Sequence, residues 1–213
     1  MTTSDSKFSA AMQQLPLVAI LRGLTPEEAP AIGDAIVGAG FRLLEVPLNS
    51  PRPLESIALL RARFPDALVG AGTVLDARQV REVHAAGGEL IVAPNMDAGV
   101  IAEARSLGLV SLPGVMTPTE AFAALAAGAN GLKLFPAELA SPAVVKALRA
   151  VLPPEAPLLP VGGITPEGMA AWRAAGAAGF GIGSALYRPG KGAEAVRESA
   201  LAFVAAHAGT QHT

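Results

Sequence analysis

Two residues in this sequence have the types and surroundings to do covalent chemistry together, Lys133 and Glu45. Lys133 sits in Gly131-Leu132-Lys133-Leu134-Phe135-Pro136-Ala137, an apolar run of strand length. Side chains of a strand alternate between two faces, so Gly131, Lys133 and Phe135 share one face while Leu132 and Leu134 take the other. If the leucines pack outward on helices, Lys133 points into the interior. Burial favours the neutral amine, which is the form that attacks a carbonyl carbon and makes a Schiff base. The alternative is a lysine at a strand end whose stem packs while its ammonium reaches solvent. Glu45, in Leu43-Leu44-Glu45-Val46-Pro47, is turned the same way by the same alternation. A buried carboxylate is costly unless paired. Glu45 is therefore either half of a structural ion pair with Lys133 or Arg22, or the general base and acid that Schiff-base chemistry requires.

Other polar groups fall at comparable positions. Arg22 ends Ala19-Ile20-Leu21-Arg22-Gly23, and Thr73 ends Gly70-Ala71-Gly72-Thr73. An arginine fork and a hydroxyl suit a carboxylate, although an exposed loop charge and a helix cap before Asp76 explain the two residues equally well. Gly162-Gly163 and Gly183-Ser184 offer bare backbone N–H groups, the second pair beside a short helical stretch. Such groups cradle phosphate, and glycines also serve tight turns.

These residues need elements to hold them. After a short N-terminal helix, from about Asp5 to Gln14, apolar runs alternate with helical segments. The predicted strands are 17–23, 41–48, 67–74, 89–95, 109–115, 131–137, 157–164 and 179–186. Eight is the number a closed parallel barrel needs. Most helical segments open on a capping residue, often followed by proline: Thr25-Pro26, Asp76, Asp97, Thr117-Pro118, Ser141-Pro142 and Thr165-Pro166. Most close on glycine, as at Gly40, Gly87, Gly108, Gly128 and Gly176. A doubly wound open sheet also alternates in this way, but it rarely runs to eight equal units without an edge strand or a long insertion. The expectation is one α/β domain over residues 1–213, a (β/α)₈ TIM barrel with a short N-terminal helix. In such a barrel chemistry sits at the C-terminal strand ends. Here those ends carry Arg22-Gly23, Glu45 to Ser50 with Asn49, Gly72-Thr73, Pro94-Asn95, Pro113-Gly114, Lys133 to Pro136, Gly162-Gly163 and Gly183-Ser184.

Composition removes several classes of function. The 213 residues are 51% hydrophobic and 16% charged, and no apolar run approaches the length of a membrane span. The formal net charge is −2 and 4% of residues are aromatic, so neither a basic footprint nor a stacking platform for nucleic acid is expected. With no cysteine there is no disulfide framework, thiolate nucleophile or cysteine-ligated zinc. The segment Met1 to Gln14 lacks the basic and apolar regions of a signal peptide, which makes the cytoplasm the expected compartment. The histidines, His84, His207 and His212, have no metal-site spacing, so no metal or other cofactor is expected.

Taken together, Glu45-Val46-Pro47-Leu48, Gly70-Ala71-Gly72-Thr73-Val74, Gly131 to Ala137, Gly162-Gly163-Ile164 and Gly181-Ile182-Gly183-Ser184 resemble the class I aldolases for 2-keto-3-deoxy-6-phosphosugar acids. The resemblance implies Lys133 as Schiff-base lysine and Glu45 as acid and base. It implies Thr73, with Pro94 and Phe135 nearby, against the pyruvyl part, and Gly162, Gly163, Gly183 and Ser184 around the phosphate. It also implies pyruvate and glyceraldehyde 3-phosphate as products, and a homotrimer. Members acting on the gluconate epimer usually carry arginine four residues after the glutamate and threonine before the paired glycines. Here those positions are Asn49 and Val161. With Ile20-Leu21-Arg22-Gly23, they look like the branch that cleaves 2-dehydro-3-deoxy-6-phosphogalactonate, with Arg22 taking over the carboxylate. Three other readings stay open: the same cleavage of 2-dehydro-3-deoxy-6-phosphogluconate, a phosphosugar isomerase or synthase that uses Glu45 as a plain enolising base, and a non-catalytic barrel that binds a phosphorylated ligand.

Overall fold

A computed structural model of the protein describes residues 2–209, leaving His212 outside the described residues. Among them, α1 (Thr3–Gln14) and β1 (Leu17–Ile20) open a regular alternation. It continues through α2 (Ala29–Gly38), β2 (Leu43–Pro47), α3 (Pro53–Arg63), β3 (Leu68–Gly72), α4 (Ala77–Ala85), β4 (Leu90–Val92), α5 (Ala98–Ser106) and β5 (Val110–Leu112). The second part is β6 (Gly114–Val115), α6 (Pro118–Ala126), β7 (Leu132–Leu134), a 3₁₀ turn (Ala137–Leu139), α7 (Pro142–Arg149), β8 (Leu158–Pro160), α8 (Met169–Ala174), β9 (Phe180–Ile182) and α9 (Ala193–Gly209).

All strand pairs are parallel. Six strands form one sheet in the order β5-β4-β3-β2-β1-β9, and three form a second in the order β6-β7-β8. A bridge from Val161 to Gly181 links the second sheet to β9. The two sheets separate on the other side where one strand, 109–115, was expected. Pro113 has no N–H to add to a ladder, although its carbonyl still accepts from Lys133 N at 2.9 Å. Gly114 then lies against the backbone of Pro94, an approach that leaves no room for a Cβ. The expected strand is thus two short ones.

The two faces of the sheets carry different residues. Leu17, Ala19, Leu44, Val46, Val69, Ala71, Ile91, Leu132, Leu134 and Ile182 pack on the helices in the larger apolar cluster. Val18, Leu43, Leu68, Leu90, Val92, Val110, Leu112 and Leu159 take the opposite face and meet one another in a smaller cluster, joined by Phe8 and Ala11 of α1. This alternation fixes where Glu45 and Lys133 point, because each shares strand parity with the second set.

Helix starts follow the expected chemistry in part. Asp76, Asp97 and Thr117 accept hydrogen bonds from the third residue beyond, and Thr117 with Glu120 forms a capping box. Ser141 stands at its cap position without a side-chain bond. At Thr25-Pro26 and Thr165-Pro166 the expected starts shift, because a turn intervenes and α2 and α8 begin at Ala29 and Met169. Helix α1 begins earlier than expected, since Thr2 caps it in a box with Asp5. The same two residues tie α1 to distant chain: Thr2 Oγ1 donates to Gly108 O at 3.1 Å, and Asp5 Oδ1 accepts from Arg105 Nη1 and Asn130 Nδ2, each at 2.8 Å. Lys7 pairs with Glu89 at 2.9 Å.

Candidate active site

Glu45 stands in the middle of β2, paired in register with Ile20 on β1 and Gly70 on β3. Lys133 stands in the middle of β7, between Gly114 and Leu159. Only 2% of Glu45 and 7% of Lys133 is exposed, so the solvent-reaching alternative for the lysine does not hold. Both line one narrow cavity with Val18, Ile20, Val92, Leu112, Leu159, Val161 and Gly181. The wall is otherwise apolar, which sets the ionisation of both groups.

Desolvation lifts the Glu45 carboxyl to about 7, against the opposing pull of Lys133 and Arg22. Loss of hydration also lowers the Lys133 amine below its ordinary value; Glu45 works against that shift and Arg22 with it. The Phe135 ring, whose centroid is 4.5 Å from Lys133 Nζ, favours the ammonium as well, so burial outweighs two groups that stabilise the charge. Glu45 Oε2 is buried and has no hydrogen-bond partner among the described residues. A carboxylate oxygen left unsatisfied in an apolar wall is costly. That is a poor use of a structural ion pair and a suitable state for an oxygen that must accept a proton. Gly72, on the neighbouring strand, makes room for this carboxylate: a Cβ there would run into both of its oxygens.

A larger cavity of about 660 Å³ opens at the C-terminal ends of the strands. Arg22, Asn49, Phe135, Val161, Gly162, Gly163, Gly183 and Ser184 line it, so most of the residues expected at the site converge there. Val161 and Ile20 belong to both cavities and join the two. Arg22 Nη1 donates to Asn49 Oδ1 at 3.0 Å, which holds the guanidinium over the mouth. Gly162 and Gly163, on its wall, have φ of +117° and +63°, conformations that suit glycine. Beyond Gly183 the expected short helix is a turn, in which Leu186 N and Tyr187 N donate to Gly183 O at 2.9 and 3.0 Å.

Thr73 and Pro94 also follow strand ends, but neither lines these two cavities. Thr73 does not cap the helix after it, a role that Asp76 fills. Its φ is +58°, a left-handed conformation unusual for a β-branched residue and of the kind that collects at functional sites. The structure also brings to the larger cavity three residues that sequence reasoning passed over: Glu138, Tyr187 and Arg188. Arg188 follows Gly183-Ser184 closely enough that the paired small residues could have signalled it. Glu138 gave no local signal, because the glycines it meets lie beyond the next strand. Among the described residues, no group of three or more histidines, cysteines, aspartates or glutamates is placed to hold a metal ion.

Known proteins resemble this chain over most of its length. The family described as KDPG and KHG aldolase matches residues 8–198. The 2-dehydro-3-deoxy-6-phosphogalactonate aldolase of Escherichia coli (strain K12) is 49% identical over 195 residues, which cover 91% of this chain and 95% of that protein. The probable 2-dehydro-3-deoxy-6-phosphogalactonate aldolase of Rhizobium meliloti (strain 1021) is 48% identical, covering 90% and 91%. A solved structure described as native KDPGal superposes with a TM-score of 0.92 at 48% identity, covering 93% of this chain and 97% of that one. Sequence and fold agree, and the chain belongs to the KDPG and KHG aldolase family of carbon–carbon lyases.

Proposed function

We propose that this aldolase cleaves 2-dehydro-3-deoxy-6-phosphogalactonate reversibly to pyruvate and glyceraldehyde 3-phosphate through a Schiff base on Lys133. The observation that carries the reading is the buried pair itself, a lysine with lowered basicity and a glutamate raised to about 7 in one apolar cavity. Lys133 Nζ attacks the C2 carbonyl, and loss of water gives a protonated imine. Glu45, through a water, takes the proton of the C4 hydroxyl; the C3–C4 bond breaks, and its electron pair moves into the imine as an enamine while the aldehyde leaves. Glu45 then returns a proton to C3, and hydrolysis of the imine releases pyruvate. A carboxyl near 7 suits both transfers at neutral pH.

The larger cavity supplies the binding groups. Arg22, held by Asn49, takes the substrate carboxylate, with Thr73, Pro94 and Phe135 around the pyruvyl part. Gly162, Gly163, Gly183 and Ser184 receive the phosphate, with Arg188 available on the same wall. Val161 sits where the two cavities join, which supports a contact near C4 and C5. The preference for the galactonate over the gluconate epimer is supported by the relatives at 48–49% identity and by Asn49 and Val161 themselves.

The proposal takes residues 1–213 as one catalytic domain in which the two sheets close into an eight-stranded barrel. The Val161 to Gly181 bridge supports closure on one side, and the continuity of β5 and β6 through Pro113 supports it on the other. Among the described residues no helix is long and apolar enough to cross a membrane. The cytoplasm is the compartment proposed, on the N-terminal segment's lack of signal-peptide regions. A homotrimer is proposed with it. Leu75, Phe122 and Leu139 are exposed at 50%, 46% and 79%, apolar surface that a second copy would cover.

Borohydride reduction in the presence of pyruvate tests the central claim. The Lys133 peptide should gain the reduced pyruvyl mass, and Lys133→Arg, whose guanidinium stays protonated, should neither gain it nor turn over substrate. An isomerase or synthase using Glu45 alone would show turnover with no trapped adduct, and a non-catalytic binder would show neither.

A further inference from the structure

Gly162 and Gly163, proposed above to hold the phosphate, already have an anion against them. Glu138 follows the Lys133 strand in the 3₁₀ turn Ala137–Leu139, and that turn is pinned to the glycine segment by Ala137 N donating to Val161 O at 2.9 Å. A Cβ on Gly162 would run into the Glu138 carboxylate, and one on Gly163 would stand 3.0 Å from Glu138 Cγ. The side chain thus lies against two bare backbones on the wall of the cavity. Arg22 and Arg188 line the same cavity, yet among the described residues no hydrogen bond or ion pair holds this carboxylate. Nothing anchors it beyond the contact with the glycines.

We propose that Glu138 is a resident competitor for the phosphate subsite: its carboxylate lies across Gly162 and Gly163 in the free enzyme, and a phosphate takes that place only as Glu138 swings out. The inference rests on the phosphate reading of those glycines. The carboxylate meets the Cα side of these glycines and takes no hydrogen bond from their N–H groups, so what it denies a phosphate is the space over them. The two anions repel and cannot share the space, so occupancy by one raises the cost of the other. Pyruvate alone reaches Lys133 without needing this place, whereas the phosphorylated aldehyde must claim it on entry and yields it on departure. Glu138 therefore weakens retention of phosphorylated product.

The test is inhibition by inorganic phosphate against the phosphosugar acid, at fixed ionic strength because screening would blur the comparison. Glu138→Gln should lower the inhibition constant by about fivefold, the order expected for removing one like charge near an exposed anion. Glu138→Asp separates occupancy from simple repulsion, since it keeps the charge but is one methylene too short to lie across the glycines. It too should bind phosphate more tightly than wild type. A wild-type constant in Glu138→Asp, or an unchanged or raised constant in Glu138→Gln, would overturn the proposal while leaving the phosphate site standing. If phosphate competed in none of the three proteins, the phosphate reading itself would fall, and this inference with it.

Discussion

Replacing Gly72 with alanine should disable proton transfer without touching either reacting side chain. Gly72 is the last residue of β3, and its φ is not in the left-handed region, so alanine meets no backbone penalty there. The conflict is local. An added Cβ would come 2.5 Å from Glu45 Oε1 and closer still to Oε2, where ordinary contact begins at 3.4 Å. The carboxylate must therefore retreat by about 1 Å or more, or the strands must part. Overpacking of this kind costs about 1–3 kcal/mol of stability, which a domain of this size tolerates. A displacement of about 1 Å at a reacting group can cost roughly 10²-fold in rate, and complete loss of the base roughly 10²- to 10⁴-fold. Exchange of the pyruvate methyl protons in deuterated water, followed by NMR, should thus fall by about 10²-fold or more. Borohydride trapping on Lys133 should continue, because the lysine lies across the cavity on β7. Wild-type exchange in a folded Gly72→Ala protein would show that the carboxylate need not occupy its observed position. Parallel loss of exchange and trapping would show that the substitution does not act through Glu45.

Other expectations follow from the same site and its supports. Methyl exchange requires ionised Glu45, so in the free enzyme its rate should fall about tenfold per unit below a midpoint near pH 7, and Glu45→Gln should lose that limb; a midpoint near 4.5 would contradict the desolvated carboxyl. Val161→Thr should raise kcat/KM for the gluconate epimer relative to the galactonate epimer by up to about tenfold, the worth of roughly one hydrogen bond. Arg22→Ala should raise KM for both epimers and for pyruvate alike, with Asn49→Ala a weaker version of it. A shifted epimer ratio in Arg22→Ala would refute its assignment to the carboxylate. Arg105 holds the Asp5 carboxyl well below the usual carboxylate range. Its stabilisation is present above pH 3.8 and is lost as pH falls below that value, so Asp5→Asn should cost about 2 kcal/mol at pH 7 in denaturant titration and progressively less in acid.

What the sequence made legible was parity. Alternation within single strands was enough to turn Glu45 and Lys133 to the same side, and glycines at strand ends marked Gly162, Gly163 and Gly183 as backbone to be approached. Capping chemistry located the starts of α4, α5 and α6 because an N-cap is a contact within four residues. Contacts between strands were not legible. The service of Gly72 to Glu45 crosses from β3 to β2, and Glu138 meets Gly162 across β7 and β8. Neither pairing has a local signature. The split at Pro113 was visible as a residue but not as a break, since whether a proline interrupts a ladder depends on which neighbour its missing N–H would have faced. Thr25 and Thr165 were read as caps because their side chains suit that role, while the chain spends one more turn before each helix.

The ties that hold α1 also set a schedule. Its partners, Glu89, Arg105, Gly108 and Asn130, are all synthesised long after it, the last lying 125 residues further along. At a synthesis rate of about 5–20 residues per second, α1 waits roughly 6 to 25 seconds for the last of them with Phe8 and Ala11 unburied. A helix of 12 residues is marginal alone in water, so it spends that interval largely unwound. A segment made before its partners is therefore seated after the strands whose inner face it covers, and its docking seals the end of the core opposite the catalytic mouth.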